Sequence, residues 1–239
     1  MVDMHCHLLF GIDDGSKSLE NSLKALESLK ELGYTDIILT PHYISDTRYT
    51  SSKSNNLKLL NELKQKIKEK NIDINLYLGN EIFINYDILD LLKEGEIASL
   101  NDSKYLLIEL PMSGEFSGYI EVFLELINYG YKVILAHPER YIAFQKDFNK
   151  ILELEEIGVY FQSNIESITG GYGRHAKKMM KRLLKESKIS FLATDIHHAK
   201  SSYHDYIKAK KKFLHYMPSY EYDKLINVNP RKVLNNEVI

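Results

Sequence analysis

The chain has one cysteine, no tryptophan and only five prolines among its 239 residues. A single thiol excludes a disulfide framework. No apolar run approaches the ~18 residues that a membrane span requires, so no membrane insertion is expected. Neither sign of charge dominates: 31 Lys+Arg stand against 33 Asp+Glu, for a net charge of −2. That balance argues against bulk phosphate-backbone binding, so no nucleic-acid partner is expected. The opening Met1-Val2-Asp3-Met4-His5 has neither the basic nor the apolar part of a secretory signal, which leads to the expectation of a cytoplasmic protein. Glycine-rich phosphate loops of the nucleotide-binding types are also missing. A cysteine-phosphatase loop needs Cys, five residues, then Arg; counted from Cys6, that position holds Ile12. Thiol chemistry is thereby excluded, and Cys6 reads as a small buried residue.

What is present fits a folded enzyme-sized domain. The chain is 44% hydrophobic and 27% charged, too apolar and too balanced for disorder. The prolines are scattered and no Pro/Ser-rich linker interrupts them, so residues 1–239 are expected to form one domain. Strand-like runs cover Val2–Leu9, Asp36–His42, Asn75–Phe83, Tyr105–Pro111, Lys132–His137, Val159–Asn164 and Ser190–Ile196. Amphipathic stretches lie between them. Leu19, Leu23, Leu26, Leu29 and Leu32 form one face before Gly33, and Leu57, Leu60, Leu63 and Ile67 form another after an Asn55-Asn56 cap. Ile120, Phe123, Leu124 and Ile127 form a third, Ile151, Leu154 and Ile157 a fourth, and Met179, Met180, Leu183 and Leu184 a fifth. Seven strand–helix units predict an α/β fold with a parallel sheet, closed into a (β/α)7 barrel rather than opened into a doubly wound sheet. The polar stretch Ser45–Asn56 reads as a long, functional loop.

Histidine is the abundant oddity, with nine copies. Six of the seven strand candidates finish in a metal-competent side chain: His5 and His7, His42, Glu81, Glu109, His137, and Asp195 with His197. The two-residue strand period puts His5 with His7, and Asp195 with His197, on one face. In a parallel barrel all these ends share the rim where active sites are built. Asp14, in the Ile12-Asp13-Asp14-Gly15 loop, joins them. Five histidines and four carboxylates exceed the capacity of one ion, so two or three divalent ions are implied. An all-nitrogen-and-oxygen set suits manganese, iron, zinc or magnesium. Four carboxylates against three such ions leave the pocket net positive, which favours an anionic substrate such as a phosphate ester. Arg140 lies three residues past His137 and is suited to grip phosphate oxygens. Arg140, Asp14 and His42 are the candidate catalytic residues. Two further features are weaker. Gly170-Gly171-Tyr172-Gly173 leads into a helix near Arg174. Lys177, Lys178, Lys181, Arg182 and Lys185 make a basic face that is either simply solvated or attractive to an acidic phosphopeptide.

The segments MVDMHCHLLFGIDDG, TPHY, GNEIF, LLIELP, AHPER, SITGGYG and TDIHH together resemble the polymerase-and-histidinol-phosphatase (PHP) superfamily. Within it they resemble the bacterial capsule-locus tyrosine phosphatases of the CpsB/YwqE type. The resemblance runs from Met1 to about His197 and is thinner beyond. It implies a distorted seven-stranded TIM-like barrel and a trinuclear centre, with manganese first and iron or zinc as options. His5, His7, Glu81 and Asp195 would hold one ion. Glu81 would bridge to a second held by Glu109 and His137, and Asp14, His42 and His197 would hold the third. The implied activity is protein-tyrosine phosphatase. Its implied partner is a bacterial tyrosine kinase that regulates capsule or exopolysaccharide synthesis. The branch often carries a second arginine after Asp-x-His. Here the stretch His198-Ala199-Lys200-Ser201-Ser202-Tyr203-His204 has none, and Lys200 or His204 would supply that substrate contact. The alternatives are a small-molecule phosphatase, such as one acting on histidinol phosphate, and a non-catalytic metal-stabilised interaction module.

Overall fold

A computed structural model describes residues 1–114, 117–198 and 203–239, without the side chains of residues 117, 203 and 204. All seven strand candidates form strands, but several break or stop early, among them Ser190–Ile196, which ends at Ala193. Val2–Leu9 is regular only as β1 (Val2–Asp3). Asp36–His42 splits at Thr40-Pro41 into β2 (Asp36–Leu39) and β3 (His42–Tyr43). Asn75–Phe83 splits at Gly79-Asn80 into β4 (Asn75–Leu78) and β5 (Glu81–Phe83). The remaining strands are β6 (Tyr105–Glu109), β7 (Lys132–Ala136), β8 (Tyr160–Asn164) and β9 (Phe191–Ala193).

Every ladder is parallel. β1-β2-β4 form one sheet and β3-β5-β6-β7-β8-β9 the other, and the broken strands β2/β3 and β4/β5 belong to both. The ring closes where Cys6 bridges Ile196. Asp195 N–H donates to His5 O and His7 N–H donates to Ile196 O, each at 2.9 Å. The result is a distorted seven-segment (β/α) barrel.

Strand alternation sorts the core into two layers. Ile38, Leu107, Ile134, Ala136, Phe191 and Ala193 form one buried cluster. Their neighbours Ile37, Leu39, Leu106, Ile108, Val133, Leu135 and Leu192 belong to the other, together with the helix residues Leu23, Leu26, Leu63 and Leu183. The first cluster is therefore the barrel interior and the second the shell under the helices. The helix Leu19–Glu31 is capped by Ser18, whose hydroxyl accepts from the Asn21 N–H. It buries Leu23, Leu26 and Leu29, each worth about 1.5–3 kcal/mol.

Two helix expectations are corrected. The second helix spans Lys53–Glu69 with Ser52 as its cap, so the preceding loop is shorter than expected and Asn55-Asn56 lies inside the first turn. Helix Ile120–Asn128 buries Val122, Phe123 and Leu126, while Leu124 is exposed. At the barrel floor, Arg231 pairs with Asp36 at 3.0 Å and the Tyr105 hydroxyl donates to Glu237 O at 2.7 Å, which ties the C-terminal segment across the strand N-termini. Among the described residues no helix is long and apolar enough to cross a membrane.

Candidate metal centre

The alternation that fills the barrel interior continues to its rim. Two residues beyond Leu107 comes Glu109, and two beyond Ala193 comes Asp195. The inward position of Tyr77 leads through Gly79 to Glu81, and that of Ile38 through Thr40 to His42. Polar side chains thus replace apolar ones in the top layer. Three positions break the rule. His5 and His7 face inward only because the chain leaves regular strand geometry after Asp3, which turns Cys6 outward into the shell. His137 lies one residue past β7 and reaches inward through a left-handed backbone, φ 34°. Asp195 is left-handed as well, φ 53°, so Asp195 and His197 are not in a regular strand as the spacing suggested.

Glu81 occupies the centre. Its Oε2 lies 3.3 Å from His5 Nε2, 3.2 Å from His7 Nε2 and 3.0 Å from His42 Nδ1, and its Oε1 lies 2.8 Å from His137 Nε2. Asp195 Oδ1 is 3.4 Å from both His5 Nε2 and His7 Nε2. Glu109 sits 3.6 Å from His42 Nδ1 and from His137 Nε2 through different oxygens. Asp14 Oδ1 lies 3.5 Å from His42 Nε2 and from His197 Nε2. Three overlapping donor groups result: His5/His7/Glu81, His42/Glu81/Glu109, and His7/Asp14/His42/His197. All nine expected ligands are brought together. Glu81 Oε2 and His42 Nδ1 are buried and only 3.0 Å apart, yet neither has a hydrogen-bond partner. Donor atoms that crowd a point without bonding to one another fit a cation between them.

Residues that the sequence reading passed over hold these donors in place. Asp195 Oδ2 accepts from Asn164 Nδ2 at 2.6 Å, Arg140 Nη1 at 3.1 Å and the Tyr172 hydroxyl at 3.3 Å. A carboxylate only accepts here, so Asn164 must present its NH2 to it. Its Oδ1 then faces Gln162 Nε2 at 3.0 Å, and Gln162 Oε1 receives the His5 Nδ1–H at 2.7 Å. His5 Nε2 is left bare toward the centre. Asp13 does the same for His7, accepting its Nδ1–H at 2.9 Å, and the Asp195 carbonyl accepts the His197 Nδ1–H at 2.9 Å. Such outer partners are what fix the tautomer of a metal-binding histidine. β8 is the one strand without a metal-competent end, and its Gln162-x-Asn164 repeats the two-residue period of the ligand strands. That was the available signal. Glu139 lies behind them, fully buried, accepting from Asn164 N–H at 2.8 Å and the Ser167 hydroxyl at 2.7 Å. Gly15 is required by contact: a Cβ there would lie 2.1 Å from the His7 carbonyl oxygen.

Charges in the pocket are strongly coupled. Burial disfavours the cation of His5, but Glu81 and Asp195 override it and push its pKa up to about 9. Burial, reinforced by Glu81, raises Glu109 to about 8. Burial, helped by Arg140, outweighs Glu81 and Asp195 and drives His137 down to about 4. Asp14, hydrogen-bonded to His197, stays well below the usual carboxylate range. At the rim, Arg140 lies over the Tyr172 ring at 4.7 Å, and Tyr49 stacks near His42 with ring centres 6.0 Å apart. Lys200 lies outside the described residues, as does the side chain of His204.

Comparison with known proteins agrees with this geometry. A CapC protein of Staphylococcus aureus is 36% identical over 198 residues, covering 82% of this chain and 77% of that one. The tyrosine-protein phosphatase CpsB of Streptococcus pneumoniae is 28% identical, with both chains covered in full. The solved structures of YwqE from Bacillus subtilis and CpsB from S. pneumoniae, described as metal-dependent tyrosine phosphatases, superpose with a TM-score of 0.93 at 27% identity, over 100% of this chain and 96% of the other. The histidinol phosphate phosphatase of Lactococcus lactis shares the fold, with a TM-score of 0.61 at 16% identity over 90% of this chain and 93% of that one. Residues 1–235 match the family described as capsular polysaccharide synthesis, CpsB/CapC, and the chain belongs to that family.

Proposed function

We propose that residues 1–239 form a single metal-dependent protein-tyrosine phosphatase domain that acts in the cytoplasm. Its substrate would be a phosphotyrosine protein, specifically a bacterial tyrosine kinase of capsule or exopolysaccharide synthesis. The observation that carries the reading is Glu81, one buried carboxylate contacting four histidines, with Arg140 at the same rim. His5, His7, Glu81 and Asp195 would hold one ion, Glu81, Glu109 and His137 a second, and Asp14, His42 and His197 the third. Manganese is the ion of choice, with iron or zinc compatible with the same donors. Such ions, when bound, supply Lewis acidity and lower the pKa of water, the chemistry that phosphomonoester hydrolysis needs.

The protein's own groups do the rest. Arg140 spends Nη1 on Asp195, which leaves Nη2 and Nε to bind phosphoryl oxygens. Tyr172 holds the guanidinium flat from its other side. Asp14 remains ionised and His137 remains neutral at physiological pH, so Asp14 offers a bare carboxylate and His137 carries a single ring proton. Tyr49, beside His42, offers an aromatic face to the phenyl ring of the substrate. Tyrosine is a good leaving group, with a phenol pKa near ~10, and asks for little acid help. Lys200 and His204 would add charge to the substrate side.

The test is phosphate release from a phosphotyrosine peptide by purified protein with manganese. Turnover should vanish with chelator and with His5→Ala. Turnover that survives either change, or greater efficiency on histidinol phosphate than on the peptide, would overturn the reading.

A further inference from the structure

Five lysines of this chain pair with carboxylates among the described residues. Lys24 pairs with Glu20 at 2.8 Å, Lys53 with Asp102 at 2.6 Å, Lys66 with Glu69 at 2.6 Å, Lys93 with Asp90 at 2.9 Å and Lys188 with Glu155 at 2.6 Å. One region instead gathers several lysines on two facing helices. A groove of about 720 Å³ runs between helix Gly173–Lys185 and helix Tyr203–Tyr216. Lys177 and Lys181 line one wall, and Lys208, Lys211 and Lys212 line the other. Among the described residues none of these five lysines makes an ion pair, and Asp205 is the one acidic residue lining the groove. Lys177 and Lys212 face one another. Desolvation together with Lys177, Lys208 and Lys181 holds the Lys212 ammonium below its ordinary value. A chain of net charge −2 has no general excess of cations to scatter, so like charges gathered on two facing helices call for an anion.

The groove also has a place relative to the metal centre. Ile168 lies at its floor, and four residues later Tyr172 donates to Asp195. Four residues span at most ~14 Å even when fully extended. A Cβ at Gly170, between the two, would meet the Lys177 stem at 3.5 Å. We propose that this groove docks an acidic segment of the substrate protein, about four to eight residues from the phosphotyrosine, an inference that rests on the phosphatase reading above. The groove is concave, and Ile168, Ile207 and Tyr216 give it an apolar floor. That shape suits an extended peptide, whose carboxylates meet the lysines while its stems meet the floor. A flat anionic membrane surface does not enter a concave groove.

The test uses the full-length, manganese-loaded protein and the triple variant Lys177→Glu/Lys181→Glu/Lys212→Glu. Two phosphotyrosine peptides of equal length are compared, one with an acidic run four to eight residues from the phosphotyrosine and one with a neutral run. The native protein should show a KM about tenfold lower for the acidic peptide, and the preference should fade as salt is raised. The triple variant should lose the preference while hydrolysing phenyl phosphate unchanged. A neutral variant, Lys177→Gln/Lys181→Gln/Lys212→Gln, should fall between, which separates charge from folding. Binding of a labelled, unphosphorylated acidic peptide, followed by fluorescence anisotropy, gives a readout independent of turnover. Absent hydrolysis of phenyl phosphate refutes the phosphatase reading, while the anisotropy still judges the groove. Equal binding of acidic and neutral peptides, binding untouched by the triple variant, or capture by phosphatidylglycerol vesicles in place of the peptide would overturn the proposal.

Discussion

Replacing Gln162 with leucine removes two of the three hydrogen bonds in the chain that runs from Asp195 to His5. Both are short, 2.7 Å to His5 and 3.0 Å to Asn164, and the side chain is fully buried. Leucine is close to glutamine in volume, so the change removes pairing rather than packing. Two groups are stranded: the His5 Nδ1–H and Asn164 Oδ1. Each buried polar group left unmet costs ~1–3 kcal/mol, so the metal-free fold should lose about 2–6 kcal/mol. In the neutral form that metal binding requires, His5 can escape part of that penalty by moving its one ring proton to Nε2. The escape is itself damaging, because the proton then covers the lone pair that faces Glu81 and Asp195. Loss of such an outer partner typically weakens metal affinity ~10–100-fold. Manganese titration by calorimetry, with urea unfolding of chelator-treated protein, reads both effects. Asn164→Leu cuts the same chain, so the double variant should lose less than the sum of the two single losses. Native manganese affinity in Gln162→Leu, together with full additivity in the double variant, would refute the argument that this chain sets the His5 tautomer.

Three other outcomes are expected. Without metal, His5 titrates at about 9, above its ordinary 6.5, and Glu109 at about 8, above 4.5. Both folded-state values are raised, so the protonated forms stabilise the metal-free protein below the unfolded pKa values, and that stability drains away as pH rises through 8–9. Chelator-treated protein should therefore unfold at lower urea at pH 9 than at pH 6.5, whereas metal binding at pH 7 should release protons from both groups, measurable by calorimetry in buffers of different ionisation enthalpy. Arg140→Lys keeps a charge but loses the planar fork, and kcat/KM on a phosphotyrosine peptide should fall ~100-fold with metal content unchanged; native kinetics would remove Arg140 from substrate binding. Gly15→Ala drives a Cβ to 2.1 Å from the His7 carbonyl oxygen, so the loop must move, costing about 1–3 kcal/mol and metal occupancy; a native melting temperature and metal content would refute the close-approach argument.

Strand–helix alternation was legible because each strand is an apolar run and each helix has a leucine-rich face. The clustering of the donor side chains was legible because parallel strands put their ends on one rim, so position along the strand stands in for position in space. The breaks at Thr40-Pro41 and Gly79-Asn80 were not legible as breaks. Thr40 and Asn80 bond sideways there, Cys6 N–H donating to Thr40 Oγ1 at 3.1 Å and Asn80 Nδ2 donating to Pro41 O at 3.0 Å, in place of ladder bonds. Such bonds depend on neighbours far away in sequence. The same limit hid Gln162 and Asn164. An amide is an unremarkable strand residue until the carboxylate it must face is known. His137 was legible from its place at the strand end, but not the left-handed backbone that turns it inward.

Cys6 carries the register of the first segment. It lies between two histidines that approach each other to 3.2 Å, yet its sulfur points the other way, 3.5 Å from the Ile38 carbonyl. With a two-residue period, a slip of one position would bring the thiol into the donor cluster and bury both histidines in the apolar shell. The bridge between Cys6 and Ile196, flanked by the 2.9 Å bonds of Asp195 to His5 and of His7 to Ile196, blocks that slip. Those three contacts also close the barrel. Closure of the ring and exclusion of sulfur from the centre are therefore one structural event, and the centre keeps the nitrogen and oxygen donors that borderline and hard ions prefer. A soft thiolate ligand could not be added here without opening the barrel at its last seam.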